Sequence, residues 1–296
     1  MLSFHKISID DRDEINRRLA LSDFRAAEYS FANSFNWGLA FGIEIAYFDR
    51  LLLLRSGDNP KYYLYPSGAG DVETAIQAIL DDAAEGGYTA CIRAILPEQK
   101  AEMEQRFPYR FRFTPQRHSF DYIYHSEDLI RLAGKKYQAK RNHAARFRKT
   151  FDWLYEPITG ANLSECVAMN KEWCRLYGCN DNLSLKAETC AVQRALLYFF
   201  EEELLGGLLR VDGRVIAYTV GERLNSDTLI VHIEKAFSES FPGAYQVINQ
   251  EFVQRHAAGL PYVNREDDTG DAGLRKAKLS YHPVFLLEKY LAEPLP

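Results

Sequence analysis

The chain has 296 residues, 47% of them hydrophobic and 26% charged, with 36 Lys and Arg set against 41 Asp and Glu for a formal net charge of −5. These proportions are those of an ordinary globular protein of one large or two smaller domains, and they exclude disordered, collagen-like and coiled-coil classes. The longest unbroken apolar run, Ala195 to Phe200, is far short of the roughly 20 residues a spanning helix needs. The N-terminus turns acidic within ten residues and carries no apolar signal region, so a cytoplasmic protein is expected.

Taken in chain order, Ile43 to Leu54 reads as an apolar strand, Asp58-Asn59-Pro60 as a turn and Lys61 to Tyr65 as its partner. Asp71 to Glu85 has apolar residues at helical spacing and ends at Gly86-Gly87. A strand is expected over Tyr88 to Ile95, a helix over Pro97 to Arg106 and a strand over His118 to Tyr124, giving the order β-β-α-β-α-β. After two helices, over Leu163 to Tyr177 and Ala187 to Leu205, the same order recurs. Asp212-Gly213 joins a hairpin of Leu208–Val211 and Val215–Glu222, and Asp227 to Glu234 is a third strand. A helix opens at Pro242-Gly243, a strand covers Pro261 to Asn264, a short helix Ala272 to Leu279 and a last strand His282 to Leu287. The expected fold class is α+β in two halves, 1–150 and 151–296, each a mixed, mostly antiparallel sheet flanked by helices.

Charge is unevenly placed along this order. Between Arg131 and Thr150 lie Arg131, Lys135, Lys136, Lys140, Arg141, Arg146, Arg148 and Lys149, with His143 and no acid. Setting those eight positive charges aside leaves −13 on the rest of the chain. Such asymmetry points to a polyanionic partner: nucleic acid, a phosphorylated cofactor or an anionic lipid surface. The segment reads as a helix from Ser126, its start delayed if Gly134 interrupts it. Lys136, Lys140, His143 and Phe147 would share one face and Tyr137, Arg141, Ala144 and Arg148 another, so cations interleave with rings that can stack on bases. The competing reading is a solvated basic face balanced by acids from elsewhere.

Two further constellations carry chemistry. His232 and Glu234 share one face of their strand, about 6–7 Å apart. They suit a general base or an orienter of an attacking amine, and equally the wet face of an antiparallel sheet. Asn264-Arg265-Glu266-Asp267-Asp268 follows a short strand, where α/β sheets open their crevices, and Arg275 and Lys278 on the next helix would reach the same place. Five irregularly spaced cysteines, Cys91, Cys166, Cys174, Cys179 and Cys190, read as reduced thiols, and no metal site is expected. Phosphate-loop, dinucleotide, zinc-protease and serine-hydrolase signatures are all missing.

The stretches FDYIYHSEDLIRLAGKKYQAKRNHAARF (Phe120–Phe147), VDGRVIAYTVGERL (Val211–Leu224), VHIEKA (Val231–Ala236) and GLRKAKLSYHPV (Gly273–Val284) resemble the family of the C-terminal domain of phosphatidylglycerol lysyltransferases. The resemblance implies two tandem GNAT-like acyltransferase folds and transfer of an aminoacyl group from charged tRNA to a lipid hydroxyl or other nucleophile. It gives Lys135, Lys136, Lys140, Arg141 and Arg146 to tRNA phosphates, with Tyr137 and His143 beside them. Glu234, Glu266 and Asp267 become candidate bases, and Arg275 and Lys278 stabilisers of an anionic intermediate or acceptor phosphate. Relatives in that family usually carry a membrane domain, absent here, so a lipid acceptor implies peripheral docking. Phe237 to Ala244 reads FSESFPGA where acetyl-CoA-dependent relatives carry a pyrophosphate loop, so acyl-CoA is the second donor expected, held through backbone N–H groups.

Overall fold

The computed structural model describes residues 2–178 and 183–295, and side chains except at 183–185. The chain condenses into two compact units, one of Met1–Asp121, Asp267–Ala272 and Leu286–Pro296, the other of Tyr122–Glu266 and Gly273–Phe285. The contacts therefore do not divide the chain near residue 150. The strand Asp121–His125 pairs antiparallel with Tyr262–Asn264, which draws the basic segment behind it into the second unit. The last strand, Tyr290–Pro294, runs back into the first unit and lies between Ala90–Ile95 and Phe111–Pro115.

In the first unit the sheet runs His5–Lys6, Glu44–Phe48, Leu51–Ser56, Lys61–Leu64, Ala90–Ile95, Tyr290–Pro294, Phe111–Pro115, with Ser67–Gly68 pairing off this path. The apolar run expected as one strand is itself a hairpin. Asp49 takes a left-handed φ of 52°, and Phe48 faces Leu51 across the turn. Local apolarity masked the reversal, because Leu51–Ser56 is buried on both faces and Glu44–Phe48 does not alternate strictly. Helix Val72–Gly86 starts where its side chains dictate: Asp71 accepts from the N–H groups of Glu73 (3.0 Å) and Thr74 (3.3 Å). It buries Ala75, Ile76 and Ile79 completely. Pro97–Arg106 is helical as expected, and helices Arg12–Ser22 and Phe31–Phe41 precede the sheet.

The second unit holds a seven-stranded sheet ordered Phe285–Leu287, Asp121–His125, Tyr262–Asn264, Thr228–Ala236, Arg214–Arg223, Leu205–Val211, Trp153–Pro157. Asp212 and Gly213 both have positive φ, 48° and 79°, as a two-residue hairpin of matching twist requires. Helices Leu163–Leu176, Leu183–Leu197, Ala244–His256 and Ala272–Leu279 accompany it. Two mixed sheets flanked by helices fit two tandem GNAT-like halves. The basic segment is not one rod. Helix Ser126–Arg131 closes at Leu132 (φ 47°), and after Gly134 (φ 82°) a 3-10 turn, Lys135–Tyr137, leads into helix Gln138–Thr150. Cys91, Cys166, Cys174 and Cys190 are free thiols; Cys179 lies outside the described residues. Among the described residues, no helix is long and apolar enough to cross a membrane.

Candidate functional site

In the second unit, strands Thr228–Ala236 and Tyr262–Asn264 pair in parallel for three residues only, ending at Ile230 opposite Asn264. Asn264 is fully buried, and its Oδ1 accepts the Glu266 N–H at 2.7 Å while Glu266 adopts φ 55°. This tight turn carries the chain toward Tyr122, whose backbone exchanges bonds with Arg265 and Glu266, each 3.1 Å. The longer strand runs on to Ala236 without that neighbour. Its His232 lies at a bulge, where the partner register shifts between Val220 and Gly221. Gly221 is required there, since a Cβ would come 2.1 Å from the Ile230 oxygen. His232 and Glu234 consequently face Arg265 and Glu266.

His232 is held at both ring nitrogens, Nδ1 2.8 Å from Glu266 Oε1 and Nε2 3.0 Å from Glu222 Oε1. Burial pulls its pKa down, but the two carboxylates outweigh that and raise it to about 10. The ring is an imidazolium near neutrality, with both N–H groups donating and no lone pair for a substrate proton. In this arrangement His232 braces Glu266. Glu234 is also engaged, its Oε1 accepting from Arg265 Nη2 and its Oε2 from Asn249 Nδ2, both at 2.9 Å.

Cations from two helices gather around Arg265 and Tyr281. Lys140 donates to Ser280 Oγ at 2.7 Å and sits 4.1 Å from the Tyr281 ring centre. Burial, and then the nearby Arg265, lower its pKa. Lys278 donates to the Arg265 carbonyl at 2.6 Å, and Arg265 lies 4.9 Å from the centre of Tyr281. Nη1 of Arg265 is buried with no acceptor. Burial also pushes the Tyr281 phenol up to about 12, so it stays protonated well above neutrality. Arg275 is half-buried on the same helix as Lys278.

Other expected site residues go elsewhere. Tyr137 and Phe147 offer no stacking surface: both are fully buried, and the Tyr137 hydroxyl donates to the Tyr281 carbonyl at 2.9 Å. Their spacing marks the helix's core stripe instead. Arg141 clamps the carbonyls of Leu132 and Gly134, capping the preceding short helix. Arg148 pairs with Glu251 at 2.7 Å and Lys136 with Asp128 at 3.1 Å, acids invisible to a local i to i+4 search. Lys135, His143 and Arg146 are exposed. Asp267 parts from Glu266: it belongs to the first unit, where its Oδ1 accepts the Thr269 N–H at 3.1 Å. Arg265 stood in the stretch singled out from the sequence but without a role, while Glu222, Asn249 and Tyr281 gave no local signal of belonging to the site. Among the described residues no group of three or more His, Cys, Asp and Glu side chains is placed to hold a metal ion.

The family model described as phosphatidylglycerol lysyltransferase, C-terminal, matches residues 19–293. A crystal structure of a conserved protein of unknown function from Bacteroides thetaiotaomicron is 39% identical, covers 100% of both chains and superposes with a TM-score of 0.95. The C-terminal domain of a putative lysylphosphatidylglycerol synthetase from Agrobacterium fabrum, at 13% identity, covers 97% of this chain and 92% of its own with a TM-score of 0.68, a likeness of fold. An uncharacterized protein of Mycoplasmoides gallisepticum is 27% identical over 185 residues, 59% of this chain, and the chain spans 56% of that relative's length.

Proposed function

The chain belongs to the phosphatidylglycerol lysyltransferase C-terminal family, and on that footing we propose that it is an acyltransferase that passes an aminoacyl group from tRNA to a lipid hydroxyl or another small nucleophile. The observation that carries this reading is the gathering of Lys140 and Lys278 around Tyr281 and Arg265, with Arg265 paired to Glu234, where two sheet strands part. Ester aminolysis or transesterification builds negative charge on the carbonyl oxygen and strips a proton from the attacking group, so it needs donors and an acceptor side by side. Arg265 Nη1 is a donor whose acceptor an oxyanion would supply. Glu266, turned inward and braced on one oxygen by His232, is the proposed acceptor of the nucleophile's proton. In this reading Arg275 and Lys140 would meet an anionic headgroup or the donor's terminal phosphates, and exposed Lys135, His143 and Arg146 the rest of a polyanion. A lipid acceptor would be reached by peripheral contact, on the cytoplasmic side where charged tRNA is found.

The test measures binding and transfer separately. Lys135→Glu with Arg146→Glu should weaken tRNA binding at least tenfold at low salt and flatten its salt dependence. Glu266→Gln should leave tRNA binding intact and reduce aminoacyl transfer at least a hundredfold. Binding of acyl-CoA with none of charged tRNA would replace the donor, and loss of tRNA binding with no effect of Glu266→Gln would leave an RNA-binding module.

A further inference from the structure

Helix Ala272–Leu279 meets the site with one arc of its surface and solvent with the rest. Lys278 turns inward onto the Arg265 carbonyl at 2.6 Å, and Arg275 is half-buried beside it. At about 3.6 residues per turn, the opposite arc falls to Gly273, Lys276 and Ala277, with Leu274 and Leu279 at its edges. All five are exposed, and no residue of this helix is buried. Leu274 keeps 39% and Leu279 43% of its surface in contact with water. A single exposed leucine is ordinary, but two on a short helix that buries nothing leave an apolar rim around a lysine.

Charge indicates what covers this rim. No acid occurs between Asp271 and Glu288, a stretch that holds Arg275, Lys276 and Lys278, nor between Leu129 and Phe151 in the basic segment. The two acid-free stretches are fastened together beside Leu279. Lys140 donates to Ser280 Oγ at 2.7 Å, and His282 donates from Nε2 to the Lys136 carbonyl at 3.1 Å, its ring edge-on to Tyr137. The acids that border them are answered locally, Asp128 by Lys136 at 3.1 Å and Glu127 by Arg131 at 2.7 Å. Lys135, Lys276 and His282 are exposed beyond those pairs, and Asp271 is the nearest acid on the helix's own segment. Phosphates of RNA would satisfy the cations but gain nothing from the leucines. An anionic bilayer satisfies both, with headgroups for lysine and an acyl boundary for leucine.

We propose that the outer arc of helix Ala272–Leu279, with Lys135 and His282 beside it, docks on an anionic lipid bilayer, Leu274 and Leu279 dipping below the phosphates and Lys276 lying among them. This deepens the lipid-acceptor reading and rests on it for its purpose, since the same helix holds Lys278 in the site. The test sediments the full chain with vesicles of equal parts phosphatidylcholine and phosphatidylmethanol, whose anionic headgroup has no hydroxyl or amine to accept an acyl group. Binding should be at least tenfold tighter than to phosphatidylcholine alone and should weaken as salt is raised. Leu274→Asp with Leu279→Asp, and separately Lys276→Glu, should each weaken it at least tenfold. Both variants should keep the wild-type unfolding midpoint and any transfer to a monomeric short-chain phosphatidylglycerol, which needs no bilayer. Absent vesicle binding by the wild type, or binding that the leucine variant retains, overturns the proposal. Loss of tRNA binding in Lys276→Glu with vesicle binding intact also overturns it and gives the face to RNA. A wild type that binds vesicles but transfers nothing to the short-chain lipid upholds the docking face and ends the transfer reading alone.

Discussion

His232 illustrates how a residue's chemistry is set by what stands beside it. Two carboxylates on one ring make it a permanent cation that ties Glu222 to Glu266. Its folded pKa is raised from an ordinary 6.5 to about 10, so the stability it contributes is fully present below about pH 6.5. That contribution declines as pH rises and is lost through pH 10. Chemical denaturation should show the wild type losing stability across pH 7–10 more steeply than His232→Gln. At pH 7 that variant should itself be destabilised by about 2–4 kcal/mol, because two partly buried carboxylates are left facing each other. Lys289→Met should cost a similar amount for the same reason, stranding Glu28 and Asp121, and a urea midpoint measurement checks it.

Among elements, the basic helix Gln138–Thr150 is fastened by its partner more than by its own sequence. Gly243, with φ 100°, begins helix Ala244–His256 against it, and a Cβ there would stand 2.5 Å from the His143 oxygen and 2.9 Å from Phe147 Cβ. Gly243→Ala combines backbone strain with a backbone clash and should destabilise the protein by about 2–4 kcal/mol, read as a lowered unfolding midpoint. Helix starts such as Asp71 and turns such as Asp212-Gly213 were legible because capping and positive φ are local demands of single residues. The break at Leu132–Gly134 was only partly legible: Gly134 announces itself, but a leucine in the left-handed region does not.

At the scale of the whole chain, each unit is assembled from segments far apart in sequence. Tyr290–Pro294 is an interior strand of the first sheet, so a fragment of residues 1–150 carries a sheet with a missing strand and the basic segment without its own sheet. That fragment should fail to give a dispersed NMR spectrum or a cooperative melt, whereas the full chain gives both. By itself the sequence determined the two α+β sheets, most helices and hairpin turns, the concentration of positive charge and the family, because periodicity, capping and motif residues act over a few positions. Only the tertiary structure decided that Lys140 turns inward while Lys135 and Arg146 stay out, that Tyr137 and Phe147 are core, and that Arg265 rather than a histidine stands against Glu234. Those outcomes depend on partners tens to hundreds of residues away, and on burial and charge pairing that no local pattern encodes.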